Sequence, residues 1–234
     1  MLSLEDVAPL HLADVTFPAW HPLSGQQGEV YAFLVRHPGG PILFETGIGL
    51  GSDFVDRSYQ VVRRPLEAEL ERVGHRLGEV RAVVNSHLHF DHCGNNRLFA
   101  GVPIYVQPAE REAAQQPRYT VPDWVDFEGA EYAVVDGDAR VASGVRVLST
   151  PGHTVGHQSL VIETDDGRVA LAGQAIYSKA EFDLIRRTGA APTDDPPPDP
   201  ERYLASATRL MDLRPRRVLF SHDGAVWEEP APGP

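Results

Sequence analysis

Cysteine is nearly absent: the 234-residue chain holds one, Cys93. A lone thiol excludes an internal disulfide and fits a reducing cytoplasm. Long apolar runs are also missing. The opening Met-Leu-Ser-Leu-Glu-Asp-Val carries neither the basic region nor the apolar stretch of a signal or anchor, so a soluble cytoplasmic protein without a membrane partner is expected. Positive charge is scarce, with 21 Lys and Arg against 33 Asp and Glu, for a net −12. That field repels phosphate backbones, and the short pairs Arg63-Arg64 and Arg216-Arg217 are too far apart to reverse it, so nucleic acid is not an expected partner. What the chain does have is 42% apolar residues, enough to bury a substantial core, and one domain over residues 1–234 is expected.

The densest chemistry lies in six residues, His87-Leu88-His89-Phe90-Asp91-His92. Neutral imidazole and carboxylate are the ligands that suit zinc and its neighbours, and grouping four of them is unfavourable unless a cation or hydrogen bonds satisfy them. Upstream, Val80-Arg81-Ala82-Val83-Val84-Asn85 reads as a buried strand; downstream, Cys93-Gly94-Asn95-Asn96 is turn chemistry and Arg97-Leu98-Phe99 a short helix. The run therefore falls at the C-terminal end of a strand, where α/β sheets place ligands. In extended chain, residues two apart share a face, which lets His87 and His89 reach one ion.

Strands and helices alternate around it. Glu29 to Arg36 and Ile42 to Glu45 read as a hairpin across Pro38-Gly39-Gly40, and Pro65 to Leu77 as an amphipathic helix ending near Gly78. Pro103 to Gln107 reads as a strand, Pro108 to Gln116 as a helix, and Glu131 to Thr164 as several strands with glycine turns. Leu160-Glu163 and Arg168-Leu171 form another hairpin, followed by a helix over Pro200 to Leu213 and a strand over Arg217 to Phe220. Two groups of strands with helices outside each predict an α/β fold, a four-layer αββα sandwich. The proline-rich stretch Thr188 to Pro200 reads as a connecting loop rather than a substrate lid.

Three further pieces repeat the strand-then-loop arrangement: Thr150-Pro151-Gly152-His153-Thr154-Val155-Gly156-His157 after Val145 to Leu148, Gly173-Gln174-Ala175-Ile176-Tyr177 after Leu171, and Ser221-His222-Asp223 after Phe220. In this order the motifs resemble the metallo-β-lactamase superfamily, from Glu45-Thr46-Gly47 to His222. The phrases around His87 to Asn96, Pro103-Ile104-Tyr105-Val106-Gln107 and Gly152 to Ser159, with Tyr177, resemble its N-acyl homoserine lactonase group most. The resemblance implies the metallo-β-lactamase-type αββα sandwich and one or two divalent ions, zinc first, with iron, manganese or cobalt accepted by the same donors. It places one ion on His87, His89 and His153 and the other on Asp91, His92 and His222, and it makes His157 a brace of its loop.

Two positions depart from the family. Gln174 stands where a bridging aspartate is usual, and a neutral amide offers one good acceptor oxygen and no charge to offset two cations. Gln174 bound to one of two ions, a single-metal enzyme, and a degenerate metal-binding module all remain open. Glu45 stands where aspartate is usual and is expected to hold a ligand histidine from behind. The implied reaction is hydrolysis of a lactone or ester, with N-acyl homoserine lactone the first choice. Metal-bound hydroxide would attack the carbonyl, Tyr177 would donate to the oxyanion, and Asp91 would pass a proton to the leaving alkoxide. A glyoxalase-II-like thioesterase and a small phosphoester hydrolase would share the ligands. The acidic Trp227-Glu228-Glu229-Pro230 tail disfavours the first, and histidine at position 89 disfavours a flavodiiron reading. Trp20, His21, Phe54, Tyr59, Tyr119, Trp124 and Phe182 are candidates either for acyl-chain walls or, for most of them equally, for the core, with Trp20-His21-Pro22 and Tyr119 to Trp124 the preferred walls, and Cys93 reads as a small buried residue.

Overall fold

The computed structural model describes residues 2–193 and 196–229. Met1, Asp194–Asp195 of the proline-rich stretch and residues 230–234, which include Pro230 of the acidic tail, lie outside the described residues.

One sheet is built from the first part of the chain: β1 (Val7–Thr16), β2 (Gln27–Val35), β3 (Ile42–Phe44), β4 (Val62–Arg63), β5 (Ala82–Val84), β6 (Pro103–Val106) and β7 (Glu131–Val134), in spatial order β4-β1-β2-β3-β5-β6-β7. The second follows: β8 (Ala139–Ala142), β9 (Val145–Ser149), β10 (Gln158–Thr164), β11 (Gly167–Leu171), β12 (Arg217–Phe220) and β13 (Asp223–Glu228), ordered β13-β12-β11-β10-β9-β8. The helices are α1 (Asp53–Tyr59), α2 (Leu66–Arg72), α3 (Phe90–Cys93), α4 (Pro108–Ala113), α5 (Pro122–Val125), α6 (Lys179–Thr188) and α7 (Pro200–Asp212).

Alternation along the strands explains the layers. On β2, Phe33 and Val35 join Phe44, Val84, Val147, Leu160, Ile162, Val169 and Leu171 in a core between the sheets, whereas Ala32 and Leu34 join Leu66, Leu70 and Val83 on the opposite face. Val161, Ala170 and Val218 face the far side of the second sheet, where Phe182 and Ile185 of α6 and Ala207 and Leu210 of α7 cover them. Both faces of the central strands are therefore buried, and the architecture is the predicted αββα sandwich.

Several sequence readings need adjustment. The helix expected over Pro65 to Leu77 stops at Arg72, because the chain turns back and the His75 N–H reaches the Leu70 carbonyl at 2.9 Å. Strand β1 and helices α1 and α6 were not read from the sequence. Pro9 interrupts the apolar run of β1, whose long pairing with β2 supplies the stability that local preference does not.

The topology puts the site at one edge. β5 runs parallel to β3 and β6, and β11 parallel to β12, while β9 is antiparallel to β10, which is antiparallel to β11. The C-terminal ends of β9, β11 and β12 therefore open on the same side of their sheet. Gln158 joins the layers: its side-chain N–H groups reach the carbonyls of Asn85 and Tyr105, both at 2.9 Å, and its backbone N–H donates to the Ser86 carbonyl at 2.8 Å.

Candidate metal centre and its cavity

Five strand-end loops meet at this edge. After β5 the chain runs through Ser86 and His87 to His89, which precedes the short helix α3 carrying Asp91 and His92. His153 enters after β9 and His222 after β12. The loop after β11 passes so close that a Cβ on Gly173 would lie 2.7 Å from Ser86 Cβ and 2.8 Å from His157 Nε2, and its φ of +61° favours glycine as well. The fifth loop, after β3, brings in Glu45.

Two three-donor sets result, His87 with His89 and His153, and Asp91 with His92 and His222. His89 Nδ1 lies 3.0 Å from His87 Nε2 and 3.3 Å from His153 Nε2. In the second set His92 Nε2 and His222 Nε2 are 3.2 Å apart, with Asp91 Oδ2 at 3.6 and 3.5 Å from them. Two nitrogens bound tetrahedrally to one zinc sit about 3.3 Å apart, given bonds of about 2.0–2.1 Å. The spacing in both sets is that of ligands around a common ion.

Protonation agrees with the spacing. Burial, reinforced by neighbouring imidazoles, drives His87 and His153 well below the usual histidine range. Burial also lowers His89 to about 4, against the pull of Asp91, and His222 to about 4. Neutral imidazole is the metal-binding form. His222 donates from Nδ1 to the Glu29 carbonyl at 2.8 Å, which leaves the Nε2 lone pair for the site. For His92, burial acts downward, but the negative charges of Asp91 and Glu45 push it up to about 9. The surroundings of His92 thus favour a positive charge, a proton or a cation. Burial alone would raise Asp91, yet His92, His222 and His89 bring it below the ordinary carboxylate range. The donor types, their spacing and the local field all fit divalent metal.

The supporting residues fall into place around them. Glu45, fully buried with φ +68°, sets Oε1 3.1 Å from His92 Nδ1 and takes the Ser86 N–H on Oε2 at 3.2 Å. A left-handed backbone on a non-glycine residue is unfavourable and is tolerated where a site demands it. His157 has both nitrogens engaged, Nδ1 donating to the Thr150 carbonyl at 3.0 Å and Nε2 accepting the Gln174 N–H at 2.9 Å, so it acts as a brace. The ring of Tyr177 stacks on His222 at 4.8 Å. Cys93 is buried, with its thiol donating to the Leu88 carbonyl. A third donor group, His11, Asp14 and Glu29, adjoins the site through the Glu29 carbonyl that accepts from His222, and there Asp14 already pairs with His11 at 2.8 Å and Arg64 at 2.9 Å.

His89, Asp91, His153, Gln174, Tyr177 and His222 form the floor of a cavity of about 1120 Å³. Trp20, His21, Phe54, Tyr59 and Tyr119 line it as expected, joined by Phe17, whose ring stacks on His21 at 4.4 Å. Trp124 and Phe182 do not. Both are core residues, 1% and 2% exposed, Trp124 packed with Ile48 and Val55 and Phe182 against Phe220 and Trp227. The proline-rich stretch is more than a connection, since Pro192 and Pro196 to Pro198 form part of the wall. Sequence reading also missed Glu110, a fully buried carboxylate on α4.

The chain belongs to the metallo-beta-lactamase superfamily, whose family model matches residues 25–222. Its curated relatives narrow the class to N-acyl homoserine lactonases. One from a Bacillus species is 39% identical over 213 residues, covering 83% of this chain and 81% of the relative. Another, from Bacillus thuringiensis subsp. kurstaki, is 35% identical over the same shares of the two chains. Among solved structures, an N-acyl homoserine lactone hydrolase with the product N-hexanoyl-L-homoserine bound at its catalytic metal centre is 29% identical, with a TM-score of 0.74 over 93% of both chains. A quorum-quenching N-acyl homoserine lactone lactonase is 30% identical, with a TM-score of 0.75 over 93% of this chain and 92% of that one.

Proposed function

We propose that the protein is a metal-dependent lactonase that opens N-acyl homoserine lactones and so quenches quorum-sensing signals. The observation that carries this reading is the pair of donor sets at the floor of a cavity with largely aromatic and aliphatic walls. His87, His89 and His153 would hold one ion, and Asp91, His92 and His222 a second. The donors suit zinc, with iron, manganese or cobalt as alternatives. A divalent cation held there supplies Lewis acidity, lowering the pKa of water from 15.7 toward roughly 7 and polarising a carbonyl.

The chain's own groups do the rest. The apolar walls bind an acyl chain and exclude water, which directs the lactone ring to the floor. Tyr177 lines that floor beside His222, so its phenol is placed to donate to the carbonyl oxygen as charge develops. Asp91, kept ionised by its histidine neighbours, takes up a proton and returns it to the departing alkoxide. Gln174 lines the same floor without contributing a charge, so nothing at that position would offset repulsion between two cations, and a second ion at Asp91, His92 and His222 would be held more weakly than one at the three histidines.

No helix among the described residues is long and apolar enough to cross a membrane. We place the enzyme in the cytoplasm, where a small lactone is its partner. The test is a panel of lactones, aryl esters and thioesters assayed beside elemental analysis of the same preparation. Hydrolysis confined to lactones, with at least one metal equivalent, is expected. Less than one equivalent after purification with zinc or iron supplied, together with no hydrolysis, would favour a degenerate metal-binding module instead.

A further inference from the structure

Glu110 is fully buried and belongs to neither donor set, yet three parts of the site converge on it. Its Oε1 accepts the Leu88 N–H at 2.9 Å, the peptide group between His87 and His89. Its Oε2 accepts the Thr154 hydroxyl at 2.7 Å, next to His153. The Tyr119 hydroxyl donates to Oε1, and the Tyr119 ring lies 4.7 Å from that of His89 on the cavity wall.

One side chain thus grips both loops that carry the three-histidine set. Three donors meet the two oxygens of a carboxylate, which accept about four hydrogen bonds, whereas a glutamine amide would turn its own N–H groups toward some of those donors. The approach is close by construction: a Cβ on Gly156 would fall 2.3 Å from Glu110 N and 2.6 Å from Glu110 Cβ. A buried anion is unfavourable unless fully hydrogen-bonded, and here its bonds are spent on the backbone and hydroxyl groups flanking His87, His89 and His153.

We propose that Glu110 is a positioning residue for the three-histidine site: it sets the distance between the His87–His89 loop and the His153 loop and, through Tyr119, links that distance to the cavity wall. The inference rests on reading these histidines as metal ligands. Outer groups that orient ligands typically govern metal affinity by roughly 10–100-fold.

The test is titration of the metal-free protein with cobalt(II), read by its visible absorption, for wild type, His153→Ala and Glu110→Gln, with thermal unfolding measured in parallel. His153→Ala identifies the cobalt that belongs to the three-histidine set. Folded Glu110→Gln is expected to bind that ion roughly 10–100-fold more weakly, with an altered band shape. Unchanged affinity and spectrum in folded Glu110→Gln overturn the proposal, as does an equal loss at both ions. Should Glu110→Gln fail to fold, Thr154→Val removes only the bond beside His153, and the same reading applies: weaker cobalt supports the proposal and unchanged cobalt overturns it. A wild-type protein that binds no cobalt overturns the metal reading itself, an outcome distinct from any difference between variants.

Discussion

Glu45 Oε1 lies 3.1 Å from His92 Nδ1, and neither side chain reaches solvent. Alignment falls short of a hydrogen bond, so charge dominates the contact. Glu45→Gln keeps the volume and removes the charge. His92 should then fall from about 9 toward the ordinary histidine range, and metal affinity at the Asp91, His92, His222 set should drop roughly 10–100-fold. Metal titration of the variant checks this.

Gln174→Asp tests the uneven occupancy argued above. Restoring a carboxylate at the floor of the cavity should raise metal content toward two equivalents, because its charge offsets cation repulsion. Elemental analysis decides the matter, and an unchanged stoichiometry counts against the account of Gln174.

Tyr177→Phe retains the ring that stacks on His222 and deletes the donor. A lost oxyanion donor reduces kcat by roughly 100-fold or more. Steady-state kinetics on a short-chain lactone should show that loss with metal content intact.

Trp20 and Trp124 should answer differently to truncation. Trp20 is 63% exposed at the cavity rim and Trp124 is 1% exposed in the core. Trp20→Ala should leave stability nearly unchanged and lower kcat/KM for a decanoyl lactone about tenfold more than for a butanoyl one, or about 1.4 kcal/mol of chain binding. Trp124→Ala should destabilise the fold by about 3–5 kcal/mol. Chain-length kinetics and denaturant melts separate the two.

Glu110 should give stability a pH dependence whose sign follows from its burial. Burial raises its carboxyl above the ordinary 4.5 despite hydrogen bonds from Thr154, Tyr119 and Leu88. The folded protein therefore binds a proton that the unfolded chain has already released, and this contribution, complete below about pH 4.5, is lost as pH rises toward the folded value. The stability of wild type minus that of Glu110→Gln, from urea melts across pH 4 to 8, should fall over that window and then level off. A rise would mean that the hydrogen bonds outweigh burial.

Much of the site was legible because metal chemistry is local. Four donors in six residues around His87 could be read without a fold, and His153 and His222 each follow a recognisable strand. Glu110 was not legible, because a carboxylate on an amphipathic helix looks the same whether it faces water or the back of a metal site. Trp124 and Phe182 were misjudged as cavity walls for a related reason: an aromatic side chain signals burial, and nothing in its neighbours says whether the burial is in core or cavity.

By itself the sequence determined the donor types, the αββα alternation of elements and the absence of a charge at Gln174, since composition and periodicity act over a few residues. Tertiary structure alone brought the donors of each set within reach of one another. His92 and His222 stand 130 residues apart in the chain and 3.2 Å apart in space. Only the packing of two sheets, with their strand ends on one edge, closes that distance, raises the cavity walls over it and brings Glu110 behind it.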